Sequence, residues 1–265
     1  MKRGDLSFFR QWFSDYCASF YSSNKEDQKN IVLKEQHTAH VCSNIVRLAQ
    51  GQALNDNELL LAETAGLFHD VGRFPQYAQY RTFRDSASVN HGELGAKVLE
   101  ERQVLKRLPE EEQQVVITVV KFHNTYRIPD IADPFAVLLL KLVRDADKLD
   151  IWRVFFEYYD APEEERASVA GLGLPDSPEY SKEIVATILK RQLVPLTMLR
   201  TLTDFKMAKM AWVFDLNFTS SFKIMVEHDY LKRVAATLPQ TEEIKNMTAF
   251  LLDYIHQRIQ GATHE

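Results

Sequence analysis

The feature that most constrains this chain is an apolar run that ends in two adjacent polar residues. Residues Leu59–Phe68 are mostly leucine, alanine and phenylalanine, and His69 and Asp70 follow directly, two residues before Gly72. The run predicts a buried helix that Gly72 ends. A histidine and an aspartate are costly to bury without partners of opposite character. A divalent metal ion would satisfy both, although a hydrogen-bonded core histidine at a helix end also fits the pair taken alone.

The composition is that of an ordinary globular protein, with 45% hydrophobic and 26% charged residues in a chain of 265. A net charge of -5 disfavours a surface that coats a nucleic-acid polymer. The N-terminal segment is too polar for a signal peptide, and no apolar run reaches the roughly 18 residues that a membrane helix needs. Two cysteines, Cys17 and Cys42, imply no disulfide framework. We therefore expect a cytoplasmic protein with no membrane partner.

Hydrophobic spacing predicts helices along the whole chain, and strand alternation is absent, so the expected class is all-α. Residues with capping chemistry precede most of the apolar stretches. Helices are expected over Leu6–Tyr21 after Asp5, over Gln28–Gln50, in the apolar run after Asn55–Asn57, over His91–Leu105 after Asn90, over Glu110–His123 after Pro109, and over Pro134–Tyr159 after Asp133.

Two segments lack helical spacing. Pro75–Val89 has no sustained period and is expected to form a long ordered loop, a kind of segment that is often functional. Ala161–Pro178 contains two glycines and three prolines and is the predicted boundary between a core, residues 1–160, and a C-terminal helical extension, residues 161–265. Ser177 and Pro178 are expected to start a helix, three or four more should follow, and the extension is expected to pack on the core.

Four of the eight histidines face or end apolar runs between residues 37 and 123, and an aspartate lies within the most hydrophobic helix of the chain. That aspartate, Asp147, is expensive to bury unless it is paired or binds a cation. Helix bundles hold metal ions with inward-facing side chains from several helices. The pattern therefore predicts a metal site built from His37, His69, Asp70, His91, His123 and Asp147.

The order of these residues resembles that of the HD-domain superfamily of metal-dependent phosphohydrolases, which is named for the pair found here as His69-Asp70. The resemblance covers roughly residues 30–160. The segments that carry it are His37–Val41, Gly66–Arg73, His91–Leu99, Lys121–His123 and Val143–Asp150. It implies an HD-domain helical bundle with additional C-terminal helices.

The resemblance also implies a division of the ligands between two metal ions. One ion would be held by His37, His69, Asp70 and Asp147, and the second by His91 and His123, with Asp70 bridging. Adjacent residues on a helix diverge by about 100°, so His69 and Asp70 reach one ion easily only near a helix end, where Gly72 frees the backbone. Mixed nitrogen and oxygen ligation suits Fe, Mn, Co, Ni or Zn better than Ca.

Three positions leave alternatives open. His40 lies one turn after His37 and is the competing ligand on that helix, or a residue that supports His37. Asp145 and Asp147 point to nearly opposite faces, so only one can enter the site, and the resemblance selects Asp147. Asp145 or Asp150 is then expected to orient a ligand histidine, a common arrangement around bound metals.

Two metal ions can activate a water for attack on a phosphate ester, so the expected activity is hydrolysis of a small phosphorylated metabolite or a nucleotide. Asp70, Arg73 and Lys148 are the predicted catalytic residues, and cations near the ligands are predicted to bind substrate: Arg73, Arg81, Lys121 and Lys148. The segment after His123 lacks the second histidine and the Gly-Tyr-Pro signature of the cyclic-dinucleotide phosphodiesterases, which argues against that activity.

Two other functions fit parts of the pattern. Some HD-fold proteins use this set of six ligands for a mixed-valent di-iron centre that oxidises and cleaves C–C or C–P bonds. A regulatory ligand-binding module with a degenerate site is disfavoured, because all six ligand positions are filled.

Overall fold

A computed structural model describes residues 1–162 and 174–261, and within these ranges the chain is all-α, as predicted. The chain divides into two compact units, Met1–Ala170 and Gly171–Glu265. The predicted boundary, Ala161–Pro178, falls largely on residues 163–173, which lie outside the described ranges. The packing of the extension on the core therefore stays a prediction.

Seven α-helices and one short 3₁₀ turn are described in the first unit. The helices are α1 Arg3–Ala18, α2 Lys25–Ala49, α3 Asp56–Phe68, α4 Arg73–Tyr80, α5 His91–Glu101, α6 Glu110–Phe122 and α7 Pro134–Asp160, and the 3₁₀ turn spans Asp85–Ala87. Helix α3 lies at the centre, in contact with α1, α2, α6 and α7. Every residue from Leu61 to Phe68 is buried, as expected for a helix that is apolar on all sides.

Phe68, the last residue of α3, fixes the position of the turn that follows. Its fully buried ring makes edge-to-face contacts with Phe9 and Trp12 of α1, at centroid distances of 5.6 and 5.8 Å. Burial of a phenylalanine side chain contributes about 1.5–3 kcal/mol to the free energy of unfolding. The turn that carries His69 and Asp70 therefore starts from a well-anchored point in the core.

Side-chain caps set the start of most helices around this core. Asn24 accepts hydrogen bonds from the amides of α2, Asn55 forms a capping box with Glu58, and Asn90 accepts from the first amides of α5. At α7, Asp133 is the N-cap and Pro134 the first helical residue. The predicted caps at Asn55, Asn90 and Asp133 are confirmed.

The prediction of Asp5 as the N-cap of the first helix is wrong. Helix α1 begins at Arg3, and Asp5 lies in its first turn, where its carboxylate accepts a hydrogen bond from the amide of Lys2 at 2.8 Å. The sequence argument placed the helix start at the first apolar residue, Leu6. The polar first turn precedes it because an acid there is stabilised by the helix dipole.

Three other boundaries also differ from the predictions. Helix α4, Arg73–Tyr80, takes up the first part of the expected loop, residues 75–80. A helix is possible there because Pro75 lies in its first turn, where a missing N–H costs nothing. Ser177 and Pro178 do not start a helix: α8 begins at Lys182 after Ser181, whose amide and hydroxyl donate to the Asp204 carboxylate at 2.8 and 3.1 Å. The fifth helix ends at Glu101 and not near Leu105.

The second unit is also helical. Its α-helices are α8 Lys182–Leu189, α9 Leu202–Met210, α10 Thr219–Glu227, α11 Tyr230–Ala236 and α12 Glu242–Gly261. The long α12 packs against α8, α10 and α11, and α9 packs against α8 and α11. Among the described residues, no helix combines the length and the apolar character needed to cross a bilayer.

Candidate metal centre

Helix ends bring most of the predicted ligands together. His69 is the C-cap residue of α3, Asp70 lies in the turn to α4, His91 is the first residue of α5, and His123 is the C-cap residue of α6. Because these side chains extend from helix ends, the sides of the helices remain available for packing. The remaining two come from within helices, His37 from α2 and Asp147 from α7. All four histidines and Asp70 are buried.

Gly72 contributes to this arrangement through its small size. Its φ of -70° and ψ of -17° are ordinary right-handed helical values, so the expectation that it frees the backbone is wrong. A Cβ atom built on Gly72 would lie 2.2 Å from the carbonyl oxygen of His91 and 2.6 Å from the amide nitrogen of Gly95. The absence of a side chain therefore lets the turn after α3 approach the start of α5, where His91 is located.

The first cluster contains His37, His69, Asp70 and Asp147. His37 Nε2 lies 3.0 Å from Asp147 Oδ1 and 3.4 Å from His69 Nε2. Asp70 Oδ2 lies 3.6 Å from the Nε2 atoms of both histidines. The Asp147 side chain is 20% exposed, so this cluster has one side toward solvent.

The second cluster contains His91, His123 and the other oxygen of Asp70. The two Nε2 atoms are 3.0 Å apart, and Asp70 Oδ1 lies 3.3 Å from His91 Nε2 and 3.7 Å from His123 Nε2. Arg144 of α7 supports the end of α6 by donating to the carbonyl of His123 at 3.0 Å. The two oxygens of one carboxylate thus face two separate histidine pairs.

The other nitrogen of each imidazole is close to a group that only accepts hydrogen bonds. Nδ1 of His37 lies 2.6 Å from Asp150 Oδ2, and Nδ1 of His91 lies 2.7 Å from Asp85 Oδ2. Nδ1 of His69 and Nδ1 of His123 lie 2.7 and 2.8 Å from backbone carbonyl oxygens. Each Nδ1 therefore carries the hydrogen, and in a neutral ring the Nε2 lone pair points into the cluster.

Burial favours the neutral form of two of these rings. It lowers the pKa of His69 to about 4 and that of His91 to about 3, against the opposing effect of nearby aspartates. Burial also opposes ionisation of Asp70, but the charges of Lys34, His69 and Arg73 outweigh it and hold the pKa of the carboxyl well below its usual range. His69 and His91 are therefore unprotonated at neutral pH and lie beside an ionised bridging carboxylate. At His37, burial and the charge of Lys34 lower the pKa, but Asp147 and Asp150 outweigh them and raise it above its ordinary value.

This donor set fits metal ions. The paired Nε2 atoms lie 3.4 Å apart in the first cluster and 3.0 Å apart in the second, and one cation could be bound by both atoms of a pair. Ligand atoms bound about 2.1 Å from one ion lie about 3.0–3.4 Å apart, close to the spacing in both clusters. Two groups can each hold an ion, one with His37, His69 and Asp70, the other with Asp70, His91 and His123. Asp147 is not part of the first group, although its Oδ1 lies 3.0 Å from His37 Nε2 and 3.8 Å from His69 Nε2.

Comparison with known proteins agrees with this geometry. The family model described as "HD domain" matches residues 35–152, a range that includes all six residues of the two clusters. Over these residues the chain is similar to an HD domain. No curated protein and no solved structure matches the chain.

The positions of three residues decide between the alternatives that the sequence left open near the two clusters. His40 is exposed, and its Nδ1 donates to the carbonyl of Gln36, so it lies outside the clusters. The carboxylate that orients His37 is Asp150, which also receives two hydrogen bonds from Arg153 at 2.6 and 2.9 Å. Asp145 is buried on a different side of α7.

The four predicted cations occupy different environments. Arg73 lies closest to the clusters, with its Nε 3.4 Å from Asp70 Oδ1 and its Nη1 2.9 Å from Asp85. Arg81 is 62% exposed and pairs with Asp27. Lys121 is exposed on α6 beside Phe122, and the Lys148 ammonium donates to the carbonyl of Arg144 at 3.3 Å. Their roles toward substrate stay predictions.

Sequence reasoning missed Lys34, whose ammonium donates to Asp70 Oδ2 at 2.7 Å. Lys34 precedes His37 by three residues on α2, so the two side chains share a face of the helix. That spacing was the available signal, but lysine at such a distance from a histidine is common on helix surfaces. Sequence reasoning also gave no role to Asp85, the partner of His91, beyond its place in the expected loop.

Proposed function

We propose that the chain is a phosphohydrolase that uses two divalent metal ions to hydrolyse a phosphate ester of a small metabolite or a nucleotide. The observation that supports this best is the placement of the two Asp70 oxygens toward separate histidine pairs. A carboxylate can bridge two cations through its two oxygens, and His37, His69 and Asp147 would complete one site and His91 and His123 the other. Iron, manganese, cobalt, nickel and zinc all suit these donors.

Bound ions at these two positions would supply a water of lowered pKa and positive charge for phosphate oxygens. The chain itself adds two cations next to the bridging carboxylate. Lys34 is within hydrogen-bond distance of Asp70 Oδ2, and Arg73 Nε is 3.4 Å from Asp70 Oδ1. Positive groups on both sides of the bridge would hold the phosphoryl group and stabilise the charge that develops during transfer.

The protein also controls the protonation state of the centre. The carbonyl and carboxylate partners of the four Nδ1 atoms keep each Nε2 available for a metal ion. Because three of these partners belong to helices, His37, His69 and His123 are oriented before an ion binds. The partner of His91, Asp85, lies in the segment between α4 and α5. Such preorganisation lowers the cost of assembling the site.

The proposal is tested by metal analysis and activity assays on the parent protein and on Asp70→Ala. The substrates are phosphomonoesters, phosphodiesters and nucleotides, each tested with Mn, Fe, Co, Ni and Zn. We expect metal-dependent phosphate release by the parent and its loss in Asp70→Ala. His40→Ala is the matched control, because His40 lies on α2 outside the clusters, and it should retain full activity.

Equal activity of the parent and Asp70→Ala would refute the proposal. The same panel includes an iron-loaded sample assayed for oxygen uptake with a polyol and an organophosphonate. Oxygen consumption without phosphate release from any ester would replace the hydrolase with the di-iron oxygenase alternative.

A further inference from the structure

Asp85 connects three elements around the second cluster. It lies in the 3₁₀ turn between α4 and α5, and its carboxylate accepts hydrogen bonds from Arg73 Nη1 at 2.9 Å, Gln76 Nε2 at 2.9 Å, His91 Nδ1 at 2.7 Å and Asn124 Nδ2 at 3.0 Å. All four partners are donors, so an ionised carboxylate is the only protonation state that satisfies them together.

The two clusters are supported in different ways. Asp150, which orients His37, belongs to the 27-residue helix α7 and is paired with Arg153. Asp85, which orients His91, belongs to a segment, residues 81–89, whose only regular structure is a single 3₁₀ turn. The first cluster is therefore supported by a helix, and the second by a short connecting segment.

The segment 81–89 is held by the same side chains that contact Asp85. Gln76 Nε2 also donates to Ser88 Oγ and to the carbonyl of Val89, both at 2.9 Å, and Arg73 Nη1 donates to the carbonyl of Phe83. Asp85 thus takes part in the hydrogen bonds that position His91 and also contacts the side chains that order the segment.

The two clusters also differ in charge. The first contains the carboxylates of Asp70 and Asp147, whereas the second contains only its share of Asp70. Asp85, bonded to His91 Nδ1, supplies the nearest additional negative charge to the second cluster. Carboxylates bonded to a ligand histidine raise the basicity of the ring and commonly change metal affinity by about 10-fold to 100-fold.

From these contacts we infer that Asp85 is the positioning residue of the second metal site and couples the second ion to the order of residues 81–89. Binding of that ion stabilises the ring orientation of His91, and through Asp85 it stabilises the segment; the coupling is reciprocal. The segment places Phe83 over Lys34 and Arg73, at 5.5 and 5.8 Å from the ring centroid. Binding of the second ion therefore also fixes the position of the Phe83 ring beside both cations. This inference rests on the two-metal site of the proposed function.

The test measures Mn²⁺ binding by titration calorimetry, with the parent protein, Asp85→Asn and the matched variant Asp150→Asn. Both variants remove the charge of a carboxylate that orients one ligand histidine. We expect two sites in the parent, an affinity loss of about 10-fold to 100-fold for one ion in Asp85→Asn, and a loss of similar size for the other ion in Asp150→Asn. Asp85→Asn also places an amide N–H₂ among four donors.

Hydrogen exchange provides the readout that a purely structural role would not change. In the parent, the amides of residues 81–89 should become protected with the second equivalent of Mn²⁺ and not with the first. In Asp85→Asn this protection should be absent, while protection around His37 persists. The parent experiment needs no variant, so it decides the matter even if Asp85→Asn does not fold.

Three results would overturn the inference: parent affinity for both ions in Asp85→Asn, loss of the same ion in both variants, or protection of residues 81–89 by the first equivalent. A parent that binds fewer than two ions would remove the two-metal site and the inference together. Two-ion binding with the expected protection but no phosphate release would refute the proposed function alone.

Discussion

The ammonium of Lys34 lies 2.7 Å from Asp70 Oδ2, the same oxygen that lies 3.6 Å from the Nε2 atoms of His37 and His69. One carboxylate oxygen is thus shared between the first metal cluster and a lysine that is only 15% exposed. A cation in this position holds the carboxylate ionised. Lys34 is also one of the two cations proposed to hold the phosphoryl group of the substrate.

Substitution of Lys34 by methionine should lower kcat/KM for a phosphorylated substrate by about 10-fold to 150-fold, the effect of losing a hydrogen bond to a charged group worth about 1.5–3 kcal/mol. Steady-state kinetics on metal-loaded protein provide the measurement. Lys25→Met is the control, because Lys25 is exposed at the start of the same helix. Equal losses in the two variants would exclude a specific role for Lys34.

Removal of the bridging carboxylate should affect both metal sites, whereas removal of a terminal ligand should affect one. We expect Asp70→Ala to bind no ion tightly and His91→Ala to retain one, since the latter keeps His37, His69, Asp70 and Asp147. Plasma mass spectrometry of dialysed protein gives the metal content. Retention of two ions by His91→Ala would contradict the assignment of His91 to the second site.

A methyl group at Gly72 should destabilise the fold even without metal, because the Cβ atom would meet backbone atoms of His91 and Gly95 that cannot move independently. Overpacking of this kind costs about 1–3 kcal/mol of the free energy of unfolding. Gly4→Ala is the matched control: Gly4 lies in α1, a Cβ there meets nothing within 4 Å, and alanine should stabilise the helix by about 0.5–1 kcal/mol. Urea unfolding of both apoproteins separates the two effects, and a neutral Gly72→Ala would contradict the close approach.

The Cys42 thiol should react slowly with alkylating reagents. Burial, followed by the charge of Glu63, raises the pKa of this thiol to about 12. Because the thiolate is the nucleophile, a raised pKa leaves little reactive form at pH 8, and unfolding should accelerate alkylation on the order of a thousandfold. Intact-mass measurements over time, with and without urea, follow the reaction. Rapid labelling of the folded protein would show that this thiol is ionised or accessible.

The six residues that meet in the two clusters could be predicted from the sequence, because four histidines face or end apolar runs and Asp147 lies within the most hydrophobic helix. The family resemblance was needed to select Asp147 over Asp145. The sequence offered Asp145 or Asp150 as the carboxylate that orients a ligand histidine, without saying which histidine. Packing decides both points, because it places Asp150 beside His37. The N-cap of α5 at Asn90 could be predicted because capping depends on local sequence.

The missed features are a helix too short to give a periodic signal and contacts that form only when the chain folds. Helix α4 spans little more than two turns, too short for a periodic signal, and a proline in its first turn made it look like a loop. Lys34 and Asp85 gain their positions from Asp70 and His91, which the chain brings near only after folding. Gly72 was expected to supply conformational freedom, whereas its role is to leave room for α5.

Asp147 and Asp150, three residues apart on α7, contact His37 at its two opposite nitrogens. The imidazole therefore lies between two carboxylates of one helix. Asp150 accepts a hydrogen bond from Nδ1, and Asp147 lies beside Nε2, the nitrogen proposed to bind a metal ion. Deleting one residue between the two aspartates would rotate one of them by about 100° and release the ring. Transfer of this half of the centre to another protein would therefore require α2 and α7 together, because His37 and the two aspartates that contact it lie on different helices.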